Sequence, residues 1–366
     1  MRVKTVAILG STGSIGINTL KVVDKYPDRF KVIALTAYNN KDLLKRQAAK
    51  YRPKYTALGE VDTDEPARIA SCKDVDIVVL AMRGAAALAP FLAAAKAGKT
   101  IAPANKEALV IAGDLIMAQA RESGATIIPV DSEQSAIFQC LDGQKAPLAR
   151  VHLTASGGPL RDVPVKNFDR MTVKDILRHP RWNMGAKITV DSATLMNKGF
   201  EFIEAQRLFG LRHSQINVVV HPEAIVHSMV EFDDGSVLAQ MGVTDMRLPI
   251  QYALTYPERL DTGLKPLDFF RIGQLNFSKP DMVKFPALAL AMEAAKQAGS
   301  APCVLNAADE ESVAEFLRGR IKFTSIYKVV EKAVSRHKIV KNPSLDDIRE
   351  ADRWARQEAI GLLKKV

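Results

Sequence analysis

Residues 5–16 read Thr-Val-Ala-Ile-Leu-Gly-Ser-Thr-Gly-Ser-Ile-Gly, an apolar run followed by three glycines at three-residue spacing. The apolar run predicts a strand over 5–9, and residues 14–25 predict a helix that ends before Pro27. Glycines between a strand and a helix permit a tight turn, so the N–H groups at the helix start can receive a pyrophosphate. The pattern favours a dinucleotide site over the alternative, a glycine turn that only packs the helix on a sheet.

The same alternation continues through the first third of the chain. Further strands are predicted at residues 31–37, 75–82, 100–104 and 125–130, and helices at 85–97 and 108–123. Regular alternation predicts an α/β fold with a Rossmann-like, doubly wound parallel sheet. An NAD-selective fold places an acidic residue after its second strand, whereas residues 37–41 read Ala-Tyr-Asn-Asn-Lys. The missing carboxylate favours NADPH over NADH.

After residue 150 the pattern changes to that of an α+β domain. Strands are predicted at residues 151–155, 216–220, 228–232 and 237–241, and Asp233, Asp234 and Gly235 predict a hairpin turn between the last two. Residues 156–185 have no regular pattern, which is typical of a flexible lid or of a disordered connector. The predicted divisions of the chain are 1–124, the central 125–255, a linker at 256–285 and a C-terminal helical bundle at 286–366.

Length and composition exclude several classes of protein. The 366 residues predict two or three domains, and 47% hydrophobic with 25% charged residues is the composition of an ordered globular chain. The net charge of +10 could steer a phosphorylated substrate. Three scattered cysteines suit neither a disulfide framework nor a zinc site, so a reducing, cytoplasmic location is expected. We expect no signal peptide and no membrane span.

Carboxylates follow the predicted strands at the edge where parallel sheets bind ligands. Asp131 and Glu133, two residues apart on an extended chain, would point to one face and share a cation. Oxygen ligands alone suit Mg²⁺ or Mn²⁺. Glu201 and Glu204, on one face of a helix predicted after a turn at Asn197–Gly199, are candidates for a third ligand and its neighbour. The alternatives are a solvated acidic turn for the first pair and ordinary first-turn helix acids for the second.

Two further stretches carry groups that bind phosphate. Ser156-Gly157-Gly158 and residues 191–199, which read Asp-Ser-Ala-Thr-Leu-Met-Asn-Lys-Gly, supply hydroxyls, an amide and an ammonium. His179 lies in the irregular stretch beside Trp182, where a single histidine is more often structural than catalytic. His221 and His227 are interpreted as structural.

Five motifs in fixed order resemble 1-deoxy-D-xylulose 5-phosphate reductoisomerases over essentially the whole chain. They are Gly-Ser-Thr-Gly-Ser-Ile-Gly (10–16), Ala-Asn-Lys-Glu-Ala-Leu-Val (104–110), Pro-Val-Asp-Ser-Glu (129–133), Ser-Gly-Gly-Pro (156–159) and Val-Asp-Ser-Ala-Thr-Leu-Met-Asn-Lys-Gly (190–199). The resemblance implies NADPH- and metal-dependent conversion of 1-deoxy-D-xylulose 5-phosphate to 2-C-methyl-D-erythritol 4-phosphate in isoprenoid precursor synthesis. It also implies a homodimer, NADPH binding by 1–124, and catalysis and dimerisation by 125–255.

The resemblance also implies roles for individual residues. The implied metal ligands are Asp131, Glu133 and Glu201. The implied catalytic residues are Lys106, Glu133 and His179. The implied substrate contacts are Lys106, Ser132, Glu133, Ser156, His179, Trp182, Ser192, Asn197, Lys198 and Glu201. The implied cofactor contacts are Gly10, Ser11, Thr12, Gly13, Ser14, Ile15, Asn105, Glu107 and Gly185. Many family members carry Gly or a basic residue where this chain has Tyr38 and Asn39, so the family pattern does not say which side chains here hold the NADP 2′-phosphate. We assign this contact to Asn39 and Asn40.

Two other functions stay open on the sequence. A plain NADP-dependent dehydrogenase of another phosphorylated aldehyde needs the glycine-rich turn but not the three carboxylates. A non-enzymatic dinucleotide sensor would use its basic surplus on nucleic acid and should carry a basic run interleaved with aromatic residues. Because no such run is apparent, we expect neither a nucleic acid nor a membrane partner.

Overall fold

The computed structural model describes residues 2–59, 64–182 and 184–366. The chain divides into two units. The first unit comprises the described residues of 2–109 together with Gly113–Phe138 and Asp245–Pro266. The second comprises Val110–Ala112, Gln139–Thr244 and Leu267–Val366.

Within the described part of the chain, ten strands form two sheets. In chain order the strands are β1 (Lys4–Leu9), β2 (Phe30–Ala37), β3 (Tyr55–Leu58), β4 (Ile77–Leu80), β5 (Thr100–Pro103), β6 (Thr126–Ile127), β7 (Leu148–Ala155), β8 (Ile216–Val220), β9 (Val226–Phe232) and β10 (Val237–Met241). The first sheet has the order β3-β2-β1-β4-β5-β6 and the second the order β10-β9-β7-β8.

Helices cover both sheets and make up most of the C-terminal segment. In chain order they are α1 (Ser14–Lys25), α2 (Lys41–Tyr51), α3 (Glu65–Ser71), α4 (Leu88–Lys96), α5 (Glu107–Ser123), α6 (Ser132–Leu141), α7 (Val173–Ile176), α8 (Ala186–Thr194), α9 (Met196–Phe209), α10 (Arg247–Thr255), α11 (Phe269–Ile272), α12 (Pro286–Gln297), α13 (Ala301–Leu317), α14 (Phe323–Arg336) and α15 (Leu345–Leu363). Short 3₁₀ helices lie at Gly84–Ala87, Val165–Arg170 and His213–Gln215. No helix among the described residues is long and apolar enough to cross a membrane.

The first sheet is parallel throughout, which confirms the predicted α/β fold. Its central strands are buried on both faces, as parallel strands between helical layers are, and Val6 on β1 pairs with Val32 on one side and Ile77 on the other. α1 spans the predicted residues 14–25. The predicted helix over 108–123 is α5, which begins one residue earlier. The chain returns to this unit at α10, whose Ile250 and Leu254 are buried in the same core.

The second sheet mixes directions, as an α+β region does. β7 pairs with β8 in parallel and with β9 antiparallel. β9 and β10 form the predicted hairpin, closed by hydrogen bonds from the Phe232 N–H to the Ser236 carbonyl and from the Gly235 N–H to the Phe232 carbonyl. The C-terminal segment is helical from Pro286, and Ser344 and Asp347 form the capping box of α15.

Two of the differences from the sequence prediction lie in the first sheet. β6 contains only Thr126–Ile127 rather than residues 125–130, although the N–H groups of Ile128 and Val130 still donate to the Ile101 and Pro103 carbonyls of β5 at 2.9 Å each. β3, at Tyr55–Leu58, was not predicted because four residues carry little periodic signal. The domain boundaries at residues 124, 255 and 285 stay predictions.

Candidate active site

The glycine-rich turn joins β1 to α1, and two of its glycines are required by packing. Gly10 has φ +95°, and a Cβ there would lie 2.5 Å from the Ala81 carbonyl oxygen. A Cβ on Gly16 would lie 2.4 Å from the Ser11 Cα. At Gly13 the nearest atom to a Cβ would be the Gly10 oxygen at 3.5 Å, which is ordinary contact. Packing within the protein therefore does not require glycine at Gly13. A ligand that approaches the backbone there would require it, because a Cβ would lie in its way.

The start of α1 offers hydrogen-bond donors. Gly13 is the N-cap and supplies no side chain to the first turn, where the N–H groups of Ser14 and Ile15 have no intrahelical acceptor. Thr12, Gly13 and Ser14 are at least partly exposed. Such a helix start binds the negative charge of a pyrophosphate, so the turn fits a dinucleotide.

Ser11 has a different place from its neighbours. It is fully buried, its N–H donates to the Thr36 carbonyl at 2.7 Å, and its hydroxyl donates to Gln47 Oε1 at 2.7 Å. The Gln47 amide in turn donates to the Ser11 carbonyl at 2.9 Å. Ser11 therefore fixes the turn, and its contact with the cofactor stays a prediction. Sequence reasoning missed Gln47, because nothing in a helical glutamine indicates a partner 36 residues away.

The connection from β2 to α2 carries the residues assigned to the 2′-phosphate. Tyr38 is 69% exposed and Asn39 is also exposed. Asn40 is the N-cap of α2, where its Oδ1 accepts from the Leu43 N–H at 3.2 Å. The Asn39 side chain is therefore the more available amide of the two.

Asn105 and Lys106 follow β5 and lie deep in the first unit. The Asn105 amide donates to the carbonyls of Met82 and Gly84 at 3.1 Å each and to Glu107 Oε2 at 2.9 Å. Its Oδ1 accepts from the Ala108 N–H at 2.9 Å, so Asn105 fixes the start of α5. These bonds hold the backbone from which Lys106 extends.

Lys106 meets the first of the predicted metal ligands. Its ammonium lies 2.6 Å from Asp131 Oδ2, and the two side chains are 7% and 13% exposed. The two residues follow neighbouring parallel strands, so their approach agrees with the expected cluster at the carboxyl edge of the sheet. Ser132 donates its hydroxyl to Glu133 Oε2 at 2.5 Å.

The geometry expected for Asp131 and Glu133 is wrong in one respect. The sequence predicts both on an extended chain, pointing to one face. The structure places Asp131 just before α6 and Glu133 in its first turn, because α6 begins at Ser132. The two carboxylates therefore do not share a strand face, and their relative positions are determined by the first turn of α6.

In the second unit, Asn197, Lys198 and Glu201 form a buried polar cluster on α9. The sequence suggested a turn at Asn197–Gly199, but α8 ends at Thr194 and Leu195, with φ +60°, leads directly into α9. Asn197 donates to Glu201 Oε1 at 2.5 Å, and the Lys198 ammonium bonds Glu201 Oε2. Glu201 lies beyond the first turn of α9, and it and Glu204 are each 1% exposed, so they are not solvated first-turn acids.

His179 links the two predicted phosphate-binding stretches. Its Nε2 lies 3.2 Å from Ser156 Oγ and 3.1 Å from Ser192 Oγ. Its Nδ1 accepts from the backbone N–H groups of Arg181 at 3.2 Å and Trp182 at 2.9 Å. Since Nδ1 is an acceptor, the hydrogen-bond network assigns the ring proton to Nε2. Burial lowers the pKa of His179 to about 4, so the ring is neutral near pH 7.

The irregular stretch 156–185 contains short helical turns rather than a continuous coil. It includes a 3₁₀ helix at Val165–Arg170 and α7, and Phe168 and Ile176 are buried. The Trp182 ring lies 6.1 Å from that of His227, and Gly185 is the N-cap of α8. Residue 183 of the predicted lid lies outside the described residues, and the mobility of the lid stays a prediction.

The carboxylates fit a hard divalent cation. Asp131, Glu133 and Glu201 offer oxygen ligands only, which Mg²⁺ and Mn²⁺ prefer. Asp131 and Glu201 are each bonded to a lysine ammonium, which supplies the positive charge that such buried carboxylates need.

Comparison with known proteins decides the family. The family model "1-deoxy-D-xylulose 5-phosphate reductoisomerase" matches residues 6–68 and 60–113, and the models of its C-terminal domains match 127–209 and 241–358. A curated 1-deoxy-D-xylulose 5-phosphate reductoisomerase from Heliobacterium modesticaldum is 51% identical over 98% of this chain and 97% of that protein. The chain belongs to the 1-deoxy-D-xylulose 5-phosphate reductoisomerase family. The resemblance inferred from the five motifs is therefore confirmed.

Other members of the reductoisomerase family agree over the same length. The protein from Phocaeicola vulgatus is 48% identical over 98% of this chain and 99% of its own length. A crystal structure of DOX-P reductoisomerase in complex with NADPH, fosmidomycin and magnesium is 40% identical, with a TM-score of 0.92 over 99% of this chain and 98% of that one. The Zymomonas mobilis reductoisomerase in complex with NADPH is also 40% identical, with a TM-score of 0.90 over 100% of both chains.

Proposed function

We propose that this chain catalyses the NADPH- and divalent-metal-dependent rearrangement and reduction of 1-deoxy-D-xylulose 5-phosphate to 2-C-methyl-D-erythritol 4-phosphate. The observation that carries the proposal is 51% identity to a curated reductoisomerase over 98% of the chain. The structural relatives bound to NADPH and magnesium support the same cofactors for this chain. The activity places the chain among NADPH-dependent oxidoreductases.

In this proposal the first unit binds NADPH. The N–H groups at the start of α1 receive the pyrophosphate, and Gly13 leaves the backbone open to it. Asn39, exposed after β2, is the side chain best placed in the chain's second βα turn to donate to a 2′-phosphate. No carboxylate in residues 37–41 repels that phosphate.

Asp131, Glu133 and Glu201 would hold the divalent cation. When bound there, the cation would supply Lewis-acid polarisation of a carbonyl oxygen, and NADPH would supply a hydride. Lys106 lies at Asp131 and places a second positive charge where the substrate oxygens gain negative charge during cleavage and re-formation of the carbon–carbon bond. Ser132, bonded to Glu133, positions that carboxylate.

The second unit would hold the substrate phosphate. The Ser156 and Ser192 hydroxyls approach one His179 N–H, so they can rotate to donate to a bound anion. Asn197 and Lys198 add an amide and the one buried ammonium of this cluster. Trp182, beside His179 in the chain, would exclude water when substrate is bound.

The proposal includes a homodimer in a cytoplasmic location. β10 is the edge strand of the second sheet and exposes Val237 and Leu238, which a second copy could cover. All three cysteines are free thiols, which supports a reducing compartment.

One assay tests the function. The purified chain, stripped with a chelator, is mixed with NADPH and 1-deoxy-D-xylulose 5-phosphate, and NADPH oxidation and the product are followed before and after Mg²⁺ or Mn²⁺ is added. We expect turnover only with metal and a branched polyol phosphate as product. Metal-independent oxidation of NADPH when another phosphorylated aldehyde replaces this substrate would instead favour the plain dehydrogenase, and NADPH binding without turnover of either compound would favour a sensor.

A further inference from the structure

Three ionisable side chains meet in the second unit where α8 and α13 pack together. The Lys187 ammonium lies 2.6 Å from Asp191 Oδ2, one helical turn along α8, and 3.1 Å from Asp309 Oδ2 on α13. The carboxyl groups are 3% and 1% exposed. The ammonium also lies 4.6 Å from the centre of the Phe200 ring. None of the roles assigned above uses this trio.

The charges of the trio balance only if one carboxyl keeps its proton. Two buried carboxylates and one ammonium would leave a net negative charge away from water. Burial raises the pKa of Asp309. The neighbouring charge of Glu310 raises it too, and Glu310 is itself paired with Arg356 at 2.6 Å. A protonated Asp309 can donate to Asp191 while Lys187 holds both, so the trio forms a neutral link between the two helices.

The link lies directly beside a residue of the phosphate cluster. Asp191 precedes Ser192, whose hydroxyl is 3.1 Å from His179 Nε2. A Cβ on Gly158 would lie 2.3 Å from the Ser192 carbonyl oxygen, so the Ser156–Gly158 loop packs against the backbone of this part of α8. A shift of α8 would therefore move the Ser192 hydroxyl relative to both His179 and that loop.

We propose that Asp309 is a positioning residue: through Lys187 and Asp191 it fixes α8, and thereby holds the Ser192 hydroxyl in place for the substrate phosphate. The inference deepens the proposed function and rests on its assignment of Ser192 to the phosphate. Asp309 touches no reacting atom and acts only through the helix that it anchors.

The test compares three variants of the full chain with wild type. Asp309→Leu removes the link and leaves the Lys187–Asp191 pair intact. Asp309→Asn keeps the size and the donor of the neutral carboxyl. Val313→Ala removes buried apolar contact one helical turn from Asp309 without touching a charge of the trio. The readouts are the KM for 1-deoxy-D-xylulose 5-phosphate, the competitive Ki of inorganic phosphate, and the Kd of NADPH.

We expect Asp309→Leu to raise the substrate KM and the phosphate Ki together, by roughly ten- to hundredfold, with the NADPH Kd unchanged. Asp309→Asn should stay within about twofold of wild type in both, and Val313→Ala should lower the Tm without moving either constant. An unchanged KM in Asp309→Leu, or a KM that rises while the phosphate Ki does not, would overturn the inference. If Asp309→Leu does not fold, Lys187→Met breaks the same link and must give the same paired rise.

Ser192→Ala separates the inference from the function on which it rests. If Ser192→Ala leaves the phosphate Ki unchanged, the assignment of Ser192 fails, and the inference fails with it. If Ser192→Ala raises the Ki but Asp309→Leu does not, only the inference fails. If both raise it, the double variant should be no more than about twofold worse than Ser192→Ala, because the two changes then remove one interaction.

Discussion

The position of one ring proton determines what His179 can do. Two backbone N–H groups occupy Nδ1, so the neutral ring presents a single N–H, from Nε2, to Ser156 and Ser192. A ring held in this form donates a hydrogen bond and does not exchange protons with substrate near neutral pH. Such a ring suits anion binding, and both this use of His179 and the catalytic role implied by the resemblance stay predictions.

The pH dependence of kcat/KM checks this protonation state. Folding lowers the pKa of His179 from 6.5 to about 4, so the folded ring stays neutral down to about pH 4. The free energy of unfolding falls as the pH drops from 6.5 towards 4, because only the unfolded chain then binds the proton. Between about pH 5 and 8 we expect no ionisation of His179 in the profile. The substrate phosphate titrates in this range, so the control is His179→Gln, measured with the same substrate. An ionisation near pH 6.5 that is present in wild type and absent in the variant would contradict the neutral ring.

Asp131→Asn tests the metal site while keeping the size of the side chain. The change removes one anionic ligand, so we expect kcat/KM to fall by roughly a hundredfold or more and the Mn²⁺ affinity to fall with it. The NADPH Kd should not change, because the glycine-rich turn is untouched. Since the variant also removes the carboxylate charge that faces the Lys106 ammonium, Asp131→Asn/Lys106→Met serves as the folding control. Wild-type metal affinity and turnover in Asp131→Asn would show that the ligand was misassigned.

The sequence shows which residue types are present but not which atoms are already bonded. The glycine spacing predicted the turn correctly, because backbone geometry restricts it locally. That Ser11 is bonded to Gln47 and that Asn40 caps α2 depends on partners that only the folded chain brings near. The neutrality of His179 likewise depends on burial, which the local pattern of residues 156–185 does not indicate.

At the scale of elements, a helix or hairpin was predicted correctly where its sequence pattern and its end signals were clear. α1, with a clear start after the glycines and a stop at Pro27, was predicted with its observed bounds. The hairpin of β9 and β10 was predicted because its turn chemistry is specific. Part of the helix pair α8 and α9 was predicted as a turn, because a single left-handed residue, Leu195, joins two helices without a Gly or Pro to mark the break.

The segment 156–185 carries a prediction about motion. Among its described residues the four-residue α7 is the only complete α-helix, and no helix or strand lies between α7 and Gly185. The N–H groups of Arg181 and Trp182 bond within the segment, to the His179 ring, so local opening of the segment would expose them together. Hydrogen exchange is expected to be fast at residues 177–182 in the free protein and to slow by at least about tenfold with NADPH and substrate bound. β7, measured in the same experiment, is the internal reference, and equal protection in both states would indicate a rigid loop.

At the scale of the whole molecule, chain order and spatial grouping diverge. The sequence of residues 247–255, for which no element was predicted, does not say which core this segment joins. α10 packs with the first unit because Ile250, Ala253 and Leu254 complete the core that β1 and α1 begin. A sequence shows only which segments are consecutive. That a later segment such as α10 returns to the first unit is seen only from its contacts in the folded chain.

The proposed homodimer has a testable contact surface. β8, at one edge of the second sheet, is paired at Val220 with Ser278, whereas β10 at the other edge has no second strand partner in the described part of the chain. β10 exposes 48% of Val237 and 40% of Leu238, and an apolar edge of this kind is stabilised when another chain covers it.

Leu238→Lys places a charge on that edge, and we expect it to weaken dimerisation by about 2 kcal/mol or more, roughly thirtyfold in Kd. Light scattering during size exclusion, over a dilution series, measures the shift. Ile360→Lys is the matched control, since Ile360 is 44% exposed on α15 and lies outside the sheet. A wild-type monomer would refute the dimer itself. A Leu238→Lys protein that dimerises as tightly as Ile360→Lys would leave the dimer standing but move its interface away from β10, because a charge buried against a second copy cannot be accommodated without loss of affinity.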